Sequence, residues 1–446
     1  MKNILVLGAG LSSSSLIRYL LENSVENHWR VSIVDQDIEM VRSKIDGHVN
    51  GEALSFNATD RSQRLPEMEK ADLVISMLPA RFHVPIAEDC IELKTNLITP
   101  SYISEEMRNL DAKAKEAGIV IMNEIGVDPG IDHMSAMKII HEIKARGGKL
   151  ISFKSFTGGL IAPVSDNNPW NYKFTWNPRN VILAGQGGAA SFIRNGQYKY
   201  IPYNRLFGRL DNISIENYGD FVGYANRDSL SYRETYGIED IPTIFRGTLR
   251  RPGYCKAWDI FIELGMTDDT YAMVNTENLT PRTFVNSFLP YDQSKPVEDK
   301  FKEFIREERM ESFERFKWLG LFEDEPIVGI ENATPAQVLQ KILVDKLSLE
   351  DGDKDMLVMV HEFQYELNGK KSQITSHMVN IGEDQVYTSM SNTVGLPVAI
   401  CAKMILNGSL KSSGVRLPVQ KEVYTPILEE LEKLNIRFVE KEISLN

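Results

Sequence analysis

The sequence predicts an α/β fold with a doubly wound parallel sheet, followed by a mixed α+β region. Three observations lead to this prediction. Short buried-strand patterns alternate with helical patterns over the first 130 residues, as in folds whose parallel strands are joined by helices. Residues 150–260 are instead rich in Gly, Asn, Tyr and Trp, with many turn signals. A long apolar helical pattern then returns near the end of the chain, over residues 393–406.

The individual elements follow from hydrophobic periodicity, because short apolar runs predict buried strands and apolar positions at helical spacing predict helices. The strands predicted in the first part of the chain are 4–7, 31–34, 73–77, 97–99 and 119–122, with a helix at 11–21. Further elements predicted are an exposed amphipathic helix within 297–320, a strand at 356–367 and a helix at 393–406 that ends at Asn407-Gly408.

The composition is that of an ordinary globular protein. The chain has 446 residues, 42% hydrophobic and 25% charged, which excludes general disorder and collagen-like or coiled-coil architectures. Its 62 acidic and 50 basic residues argue against nucleic acid as a partner. No apolar run approaches the ~20 residues that span a bilayer. Three widely spaced cysteines and a first stretch unlike a signal peptide lead us to expect a cytoplasmic protein with no membrane partner.

A glycine-rich turn follows the first predicted strand and opens a helix. Gly8-Ala9-Gly10 stands where glycines allow a tight turn and the close approach of a pyrophosphate to free N–H groups. Ser13 replaces the third glycine of the motif, and its side chain is small enough for helix and strand to pack closely. Asp35 ends the second strand, where a carboxylate binds the ribose hydroxyls and repels a 2′-phosphate. The pattern predicts NAD, with NADP as the second choice; the alternative is a strand–turn–helix without a ligand.

A later strand of the same sheet ends within residues 75–79. Carboxyl ends of such strands line the ligand crevice, although an ordinary strand end explains this segment equally well when it is read alone. The cofactor-binding residues predicted in total are Gly8, Ala9, Gly10, Leu11, Ser12, Asp35, Ser76, Met77, Leu78 and Pro79.

Asp128 and His133 lie between a predicted strand and a predicted helix. Asp128 precedes Pro129, so from the pattern alone it is a good N-cap, with proline at the first helical position. His133 has no Glu or Cys at a metal-ligand spacing, so we predict no metal site, and a buried helical histidine explains it. Capping and a catalytic role for Asp128 are both left open by the pattern.

Several motifs, taken together, resemble saccharopine dehydrogenase of the L-glutamate-forming type, also called saccharopine reductase. They occur in one order along nearly the whole chain. The motifs are TPSYI (99–103), GVDPGIDH (126–133), FTGGL (156–160), YKFTWNPR (172–179), NRDS (226–229), RGTLR (246–250), TVGLP (393–397) and PILEEL (426–431).

The resemblance implies a domain organisation. It implies a Rossmann dinucleotide-binding domain at residues 1–128 and an inserted α+β domain for substrate binding and dimerisation at 129–392. Residues 393–446 would return to the Rossmann domain. It also implies a homodimer.

The resemblance implies an activity as well. Members of this family oxidise the secondary amine of saccharopine to an imine, which water splits into L-glutamate and 2-aminoadipate 6-semialdehyde, in lysine metabolism. The substrate-binding residues that the motifs imply are Ser101, Tyr102, Asp128, Arg227, Gly247, Thr248 and Leu249. The resemblance implies that fungal members of the family carry a cysteine at the position of Thr157. With Tyr102 and Asp128 it completes the implied catalytic set, although the thiol is missing.

The chemistry of these residues agrees with the implied activity. Saccharopine carries three carboxylates, and an arginine such as Arg227 binds a carboxylate through two parallel hydrogen bonds. Asp128 could hold the substrate ammonium, and Tyr102 could exchange a proton with the nitrogen. The general base for water stays open. Two alternatives are a related dehydrogenase acting on lysine or carboxynorspermidine, and a non-catalytic NAD-binding sensor.

Overall fold

A computed structural model of the chain describes residues 1–184, 186, 188–326 and 329–445. It divides into two compact units. The first unit comprises Met1–Leu150, Thr235–Gly237 and Gln364–Asn446, and the second comprises Ile151–Glu234 and Ile238–Phe363. Each unit is described separately below.

The strands of the chain are numbered in order. They are β1 Lys2–Leu7, β2 Trp29–Asp35, β3 Gly51–Ser55, β4 Leu73–Ser76, β5 Asn96–Ile98, β6 Val120–Met122, β7 Lys149–Ile161, β8 Ala190–Arg194, β9 Gln197–Ile201, β10 Leu210–Ile215, β11 Gly219–Ala225, β12 Thr243–Arg250, β13 Asp355–Leu367, β14 Lys370–Ile381, β15 Gly414–Arg416 and β16 Val439–Leu445.

The α-helices are numbered in the same way. They are α1 Ser14–Glu22, α2 Ile38–Ile45, α3 Arg61–Met68, α4 His83–Leu93, α5 Glu105–Arg108, α6 Asp111–Ala117, α7 Ile131–Ala145, α8 Pro178–Ile182, α9 Tyr232–Thr235, α10 Tyr254–Leu264, α11 Pro281–Ser287, α12 Val297–Ile305, α13 Phe313–Trp318, α14 Pro335–Leu347, α15 Ser389–Leu406 and α16 Lys421–Lys433. Short 3₁₀ helices lie at Leu11–Ser13, Ala80–Phe82, Pro163–Ser165, Tyr203–Gly208, Thr276–Asn278 and Glu307–Ser312.

The first unit is built on a seven-stranded sheet in the order β15-β6-β5-β4-β1-β2-β3. Every pairing in it is parallel, which confirms the predicted fold class. Chain order reverses at β1, so the carboxyl ends of β1 and β4 border the crevice in which such sheets bind ligands. The strand β3 was not predicted, because Gly51–Ser55 is only partly buried and carries no apolar run.

The C-terminal part of the chain belongs to the first unit. Strand β15 adds to the sheet beside β6, and helix α15 lies against α1. A Cβ atom on Gly395 would stand 2.8 Å from the backbone nitrogen of Leu16, so only glycine permits this approach of the two helices. Two hydrogen bonds fix it: Ser15 N donates to Ser391 Oγ at 2.8 Å, and Ser15 Oγ donates to Asn392 Oδ1 at 2.6 Å. The helix that follows the glycine turn is therefore held by residues more than 370 positions away in sequence.

Helix α15 confirms the helix predicted at 393–406, and it begins earlier because Thr388 Oγ1 accepts a hydrogen bond from Ser391 N at 2.9 Å. By length and composition alone α15 could cross a membrane, but 78% of it is buried within the fold. That degree of burial is expected of a core helix.

The second unit contains a mixed sheet whose strands run β10-β11-β12-β7-β13, with β8 pairing with both β12 and β9. Strands β12 and β7 are parallel, whereas β11 and β12 are antiparallel. A mixed sheet with helices confirms the α+β prediction for this part of the chain.

The prediction of one exposed amphipathic helix within 297–320 is wrong in two respects. Arg306 has a φ of 60° and ends α12, so the segment forms two helices separated by a 3₁₀ turn. Phe301 and Phe316 are fully buried, with ring centroids 4.8 Å apart. The aromatic residues that suggested one helical face instead build part of the core.

Candidate active site

The glycine turn at the end of β1 has the geometry that a dinucleotide requires. Gly8 has a φ of 100°, which favours glycine, and a Cβ atom there would make a tight contact of 3.3 Å with the carbonyl carbon of Met77. At Gly10, which is exposed, a Cβ atom would meet no other atom within 4 Å. That open space lies where the turn enters the 3₁₀ helix and α1. The residues present therefore fit a pyrophosphate bound against the turn.

Asp35 lies at the carboxyl end of β2, as predicted, and contacts the glycine turn. Its Oδ2 accepts a hydrogen bond from Ala9 N at 2.8 Å. Lys44 of α2 lies on the same turn, where its Nζ donates to the carbonyl oxygens of Ala9 at 2.6 Å and Gly10 at 2.7 Å. Burial lowers the pKa of Lys44 to about 8, against the attraction of Asp35, which raises it. The sequence did not indicate Lys44, since a lysine on an amphipathic helix is usually solvated.

A buried histidine joins the ends of neighbouring strands. His83 Nδ1 lies 3.0 Å from Ser76 Oγ, at the end of β4. Its Nε2 lies 3.0 Å from Thr99 Oγ1 and 2.8 Å from Ser101 Oγ, after β5. Burial lowers the pKa of His83 to about 4, so the imidazole is neutral at neutral pH. His83 therefore links a predicted cofactor residue to a predicted substrate residue, a role for which the sequence gave no pattern.

Residues 76–79 lie at the edge of the sheet, and their exposure to solvent increases along the segment. Ser76 is fully buried and directs its hydroxyl at His83. Met77 and Leu78 are half-buried, and Pro79 is exposed. Exposure of the last three residues beside the glycine turn is what contact with a cofactor requires, whereas the Ser76 side chain is occupied by His83.

Tyr102 and Asp128 are brought together, as the catalytic assignment requires. Tyr102 Oη donates to Asp128 Oδ1 at 2.9 Å, and both side chains are half-buried. The capping interpretation of Asp128 is wrong: α7 begins at Ile131, with Gly130 at the N-cap position. Pro129 therefore also lies outside the helix. Asp128 therefore does not occupy the N-cap position of α7.

A buried chain of polar groups fixes the two loops that carry Tyr102 and Asp128. Glu124, which follows β6, accepts a hydrogen bond from Ile103 N at 2.9 Å and lies 2.8 Å from His133 Nε2. Because a carboxylate can only accept, His133 Nε2 donates to Glu124, and its Nδ1 lies 2.6 Å from Tyr236 Oη. Glu124 is 2% exposed and His133 is fully buried. His133 is thus the buried helical histidine that the sequence suggested, and Glu124 is a positioning residue that it missed.

The other predicted substrate residues lie in the second unit. Arg227 is exposed, has a φ of 37°, and makes no side-chain hydrogen bond or ion pair with the part of the chain that the structure describes. Its loop is tied to β12, since Ser229 Oγ accepts from Arg246 N at 2.9 Å. Gly247, Thr248 and Leu249 lie on β12, where Thr248 is opposite Thr157 of β7. Thr157 is buried, and its Oγ1 has no hydrogen-bond partner among the described residues.

Comparisons with known proteins agree with this description. Residues 4–122 match the family model "Saccharopine dehydrogenase NADP binding domain", and residues 126–436 match "Saccharopine dehydrogenase C-terminal domain". Saccharopine dehydrogenase [NADP(+), L-glutamate-forming] of Saccharomyces cerevisiae is 34% identical, over 99% of this chain and 100% of its own length. The mitochondrial alpha-aminoadipic semialdehyde synthase of Mus musculus is 35% identical over 98% of this chain, which covers 47% of that longer protein.

A solved structure extends the likeness to three dimensions. The apo saccharopine dehydrogenase (L-Glu forming) of Saccharomyces cerevisiae aligns with a TM-score of 0.90 and 32% identity, over 99% of this chain and 100% of that one. Fold and sequence together define an oxidoreductase that uses a nicotinamide dinucleotide. The chain belongs to the saccharopine dehydrogenase family.

We predict that His83 makes stability fall with acidification. Its pKa is about 4 in the folded protein and about 6.5 in an unfolded chain. As the pH falls, the unfolded chain therefore takes up a proton first. The contribution is fully present above about pH 6.5 and is lost as the pH falls to about 4, in total about 3 kcal/mol. Urea unfolding midpoints between pH 4.5 and 7 will show this slope.

The matched variants are His83→Asn and His28→Asn. His83→Asn should reduce the change of the urea unfolding midpoint with pH. His28 is exposed and has a φ of 55°, which asparagine tolerates, so His28→Asn should keep the slope. Equal slopes in both variants would show that other groups cause the acid sensitivity.

Proposed function

We propose that this chain interconverts saccharopine with L-glutamate and 2-aminoadipate 6-semialdehyde, by hydride transfer to a nicotinamide dinucleotide, in lysine metabolism. The observation that carries the proposal is the hydrogen bond of 2.9 Å between Tyr102 and Asp128, which are both half-buried. An acceptor and a proton donor are thereby held together beside a dinucleotide-binding sheet edge. The names of the full-length relatives support the same reaction.

The chemistry assigns a step to each group. The secondary amine of saccharopine is protonated in water and must lose a proton before a hydride can leave the adjacent carbon. Asp128 accepts that proton, and Tyr102 orients the nitrogen by hydrogen bonding. The nicotinamide supplies the oxidation by accepting the hydride. Water then adds to the C=N bond, and the C–N bond breaks to give the amine of glutamate and the aldehyde.

Arg227 is proposed to bind one substrate carboxylate. Its guanidinium is exposed, with no acidic partner among the described residues. An arginine on a tethered loop can accept a carboxylate in two parallel hydrogen bonds.

The first test compares substrates side by side. We expect NADH or NADPH production with saccharopine to exceed that with lysine or carboxynorspermidine, with glutamate identified as a product. Faster turnover of lysine or carboxynorspermidine would show that this amine, and not saccharopine, is the substrate. Tight cofactor binding with no turnover of any of the three would favour a nucleotide sensor.

We predict that Asp128→Asn lowers kcat/KM for saccharopine by about 10²–10⁴-fold with little change in melting temperature. Asparagine keeps an oxygen that accepts from Tyr102 but cannot take up the amine proton. Asp60→Asn is the matched control, because Asp60 caps α3 by accepting from Ser62 N at 2.9 Å, and asparagine caps a helix about as well. Full activity in Asp128→Asn would show that another group accepts the amine proton.

NAD is proposed as the preferred cofactor, although the relatives and the family model are named for NADP. The support is Asp35, whose carboxylate touches the glycine turn at the position that contacts the adenosine ribose. A 2′-phosphate there would meet a like charge. At ~4 Å near a protein surface this repulsion is about 4 kcal/mol. The Lys44 ammonium lies on the same turn, but it is engaged by two carbonyl oxygens.

We predict that kcat/KM with NAD exceeds that with NADP by about tenfold or more, equivalent to about 1.4 kcal/mol or more, and that Asp35→Ser narrows the ratio. Asp37→Ser is the control, since Asp37 is exposed, lies two residues further on and caps α2. It should leave the ratio unchanged. A wild-type preference for NADP would contradict the proposed role of Asp35.

A further inference from the structure

Lys44 of α2 holds the carbonyl oxygens of the glycine turn from one side. Its Nζ donates to the oxygen of Ala9 at 2.6 Å and to that of Gly10 at 2.7 Å, and it lies 3.4 Å from Ser13 Oγ. Ser13 also donates to the Gly10 oxygen, from Oγ at 2.8 Å and from its backbone nitrogen at 3.1 Å. A cation and a hydroxyl therefore meet at these two carbonyl oxygens.

The direction of the two carbonyl groups also sets the direction of two N–H groups. Both peptides are trans, and in a planar trans peptide the C=O and N–H bonds point opposite ways. The peptide with the Ala9 oxygen carries the N–H of Gly10, and the peptide with the Gly10 oxygen carries the N–H of Leu11. Both N–H groups therefore point away from Lys44. Neither donates a hydrogen bond within the described part of the chain.

The side to which these N–H groups point is open. Gly10 and Leu11 are exposed, whereas Ala9 and Ser13 are buried. Successive backbone N–H groups that face one concave side bind anions. A cation on a carbonyl oxygen polarises the peptide, so that its N–H becomes a stronger donor. Lys44 therefore both orients and strengthens the two N–H groups.

Asp35 holds the same turn through a third N–H group. Its Oδ2 accepts from Ala9 N at 2.8 Å, so the backbone of Ala9 is bound by a carboxylate at its N–H and by an ammonium at its C=O. Hydrogen bonds to charged groups are stronger than neutral ones. The conformation of the turn is therefore set before a ligand binds.

The charge of Lys44 is only partly compensated. Lys44 is half-buried, and burial lowers its pKa to about 8, against the attraction of Asp35, which raises it. The other charged residues on the elements packed against α2 are Arg18 and Glu22 of α1, Arg30 of β2 and Glu52 of β3. Arg18 is paired with Glu383, and Arg30 and Glu52 are paired with each other. Among the described residues, Asp35 is the one charge that acts on the pKa of Lys44.

We propose that Lys44 is a positioning residue for the nicotinamide dinucleotide. Its ammonium holds the oxygens of Ala9 and Gly10 so that the N–H groups of Gly10 and Leu11 face the pyrophosphate, and its charge attracts that anion across the turn. Ser13, which replaces the third glycine of the motif, contributes a hydroxyl that glycine lacks. The inference concerns the dinucleotide alone and is independent of the amine substrate.

The first test is calorimetric binding of NADH and NADPH to the full-length protein, and the nucleotide that the wild type binds more tightly is compared. Lys44→Met should raise its Kd about tenfold, equivalent to about 1.4 kcal/mol, because the carbonyl oxygens lose their cation. Lys44→Gln keeps a hydrogen-bond donor without the charge and should lie between the two. Lys44→Arg keeps the charge and should bind nearly as well as the wild type. Binding by Lys44→Arg no better than by Lys44→Met would contradict the role of the charge.

Arg42 provides the control on the same helix. Its side chain is 63% exposed and pairs with Glu39, so Arg42→Met should leave the Kd unchanged. A Kd that is also unchanged in Lys44→Met, whatever its melting temperature, would show that Lys44 is a structural residue and overturn the inference.

Proton uptake provides a second test that needs no variant to fold. At pH 8 about half of the Lys44 side chains are charged, and a bound pyrophosphate favours the charged form. NADH binding to the wild type should therefore take up as much as about half a proton at pH 8. Calorimetry in buffers of different ionisation enthalpy measures this uptake. Lys44→Arg should show none at pH 8, because arginine stays charged.

Absence of proton uptake by the wild type at pH 8 would overturn the inference, as would equal uptake in Lys44→Arg. Neither measurement uses saccharopine. Failure of the proposed substrate in turnover assays would therefore leave the role of Lys44 unaffected.

Discussion

The buried Glu124 carboxylate is the constraint on which the candidate chemistry depends. A carboxylate taken out of water is tolerated only when its oxygens are hydrogen-bonded, and Glu124 meets this requirement with Ile103 N and His133 Nε2. Ile103 directly follows Tyr102, and His133 lies on the first turns of α7, just after the Asp128 loop. One carboxylate therefore fixes both loops. The distance of 2.9 Å between Tyr102 and Asp128 follows from that shared anchor.

A second buried side chain, His83, joins the strand ends beside the glycine turn. His83 is neutral at neutral pH, so it links the hydroxyls of Ser76, Thr99 and Ser101 without placing a charge among them. On the other side of the turn, α1 is held by α15 through the close approach at Gly395. The crevice is thus shaped by close packing at Gly395 and by hydrogen bonds, some of them uncharged, as at His83, and some charged, as at Asp35 and Lys44.

The sequence predicted the elements whose signal is local. The run at 4–7, the glycine turn and Asp35 each carry their own pattern, and each lies where it was expected. Strand β3 carries no apolar run, because an edge strand that is only partly buried does not need one. Asp128 was ambiguous, since a residue before proline has the pattern of a cap whether or not the helix starts there, and only the start of α7 at Ile131 decides it.

Residues that act through distant partners gave no local signal. Lys44 becomes significant only because α2 places its ammonium on carbonyl oxygens 34 and 35 residues earlier. His133 pairs with Tyr236 across 103 residues. Arg250 looks like one more basic residue of a strand until its burial among tyrosines is known. Contacts between residues so far apart cannot be recognised in any short segment of a single sequence.

Arg227 and Arg250, both in the second unit, differ in the environment of their charge. Arg227 is exposed, so water stabilises its charge before a ligand arrives, and exchanging water for a carboxylate yields a modest gain. Arg250 is 5% exposed, has already lost its water, and has no acid to replace it among the described residues. The rings of Tyr172, Tyr224 and Tyr254 surround the Arg250 guanidinium. They offset part of the cost of burying its charge, so the packing of these tyrosines and the burial of Arg250 depend on each other.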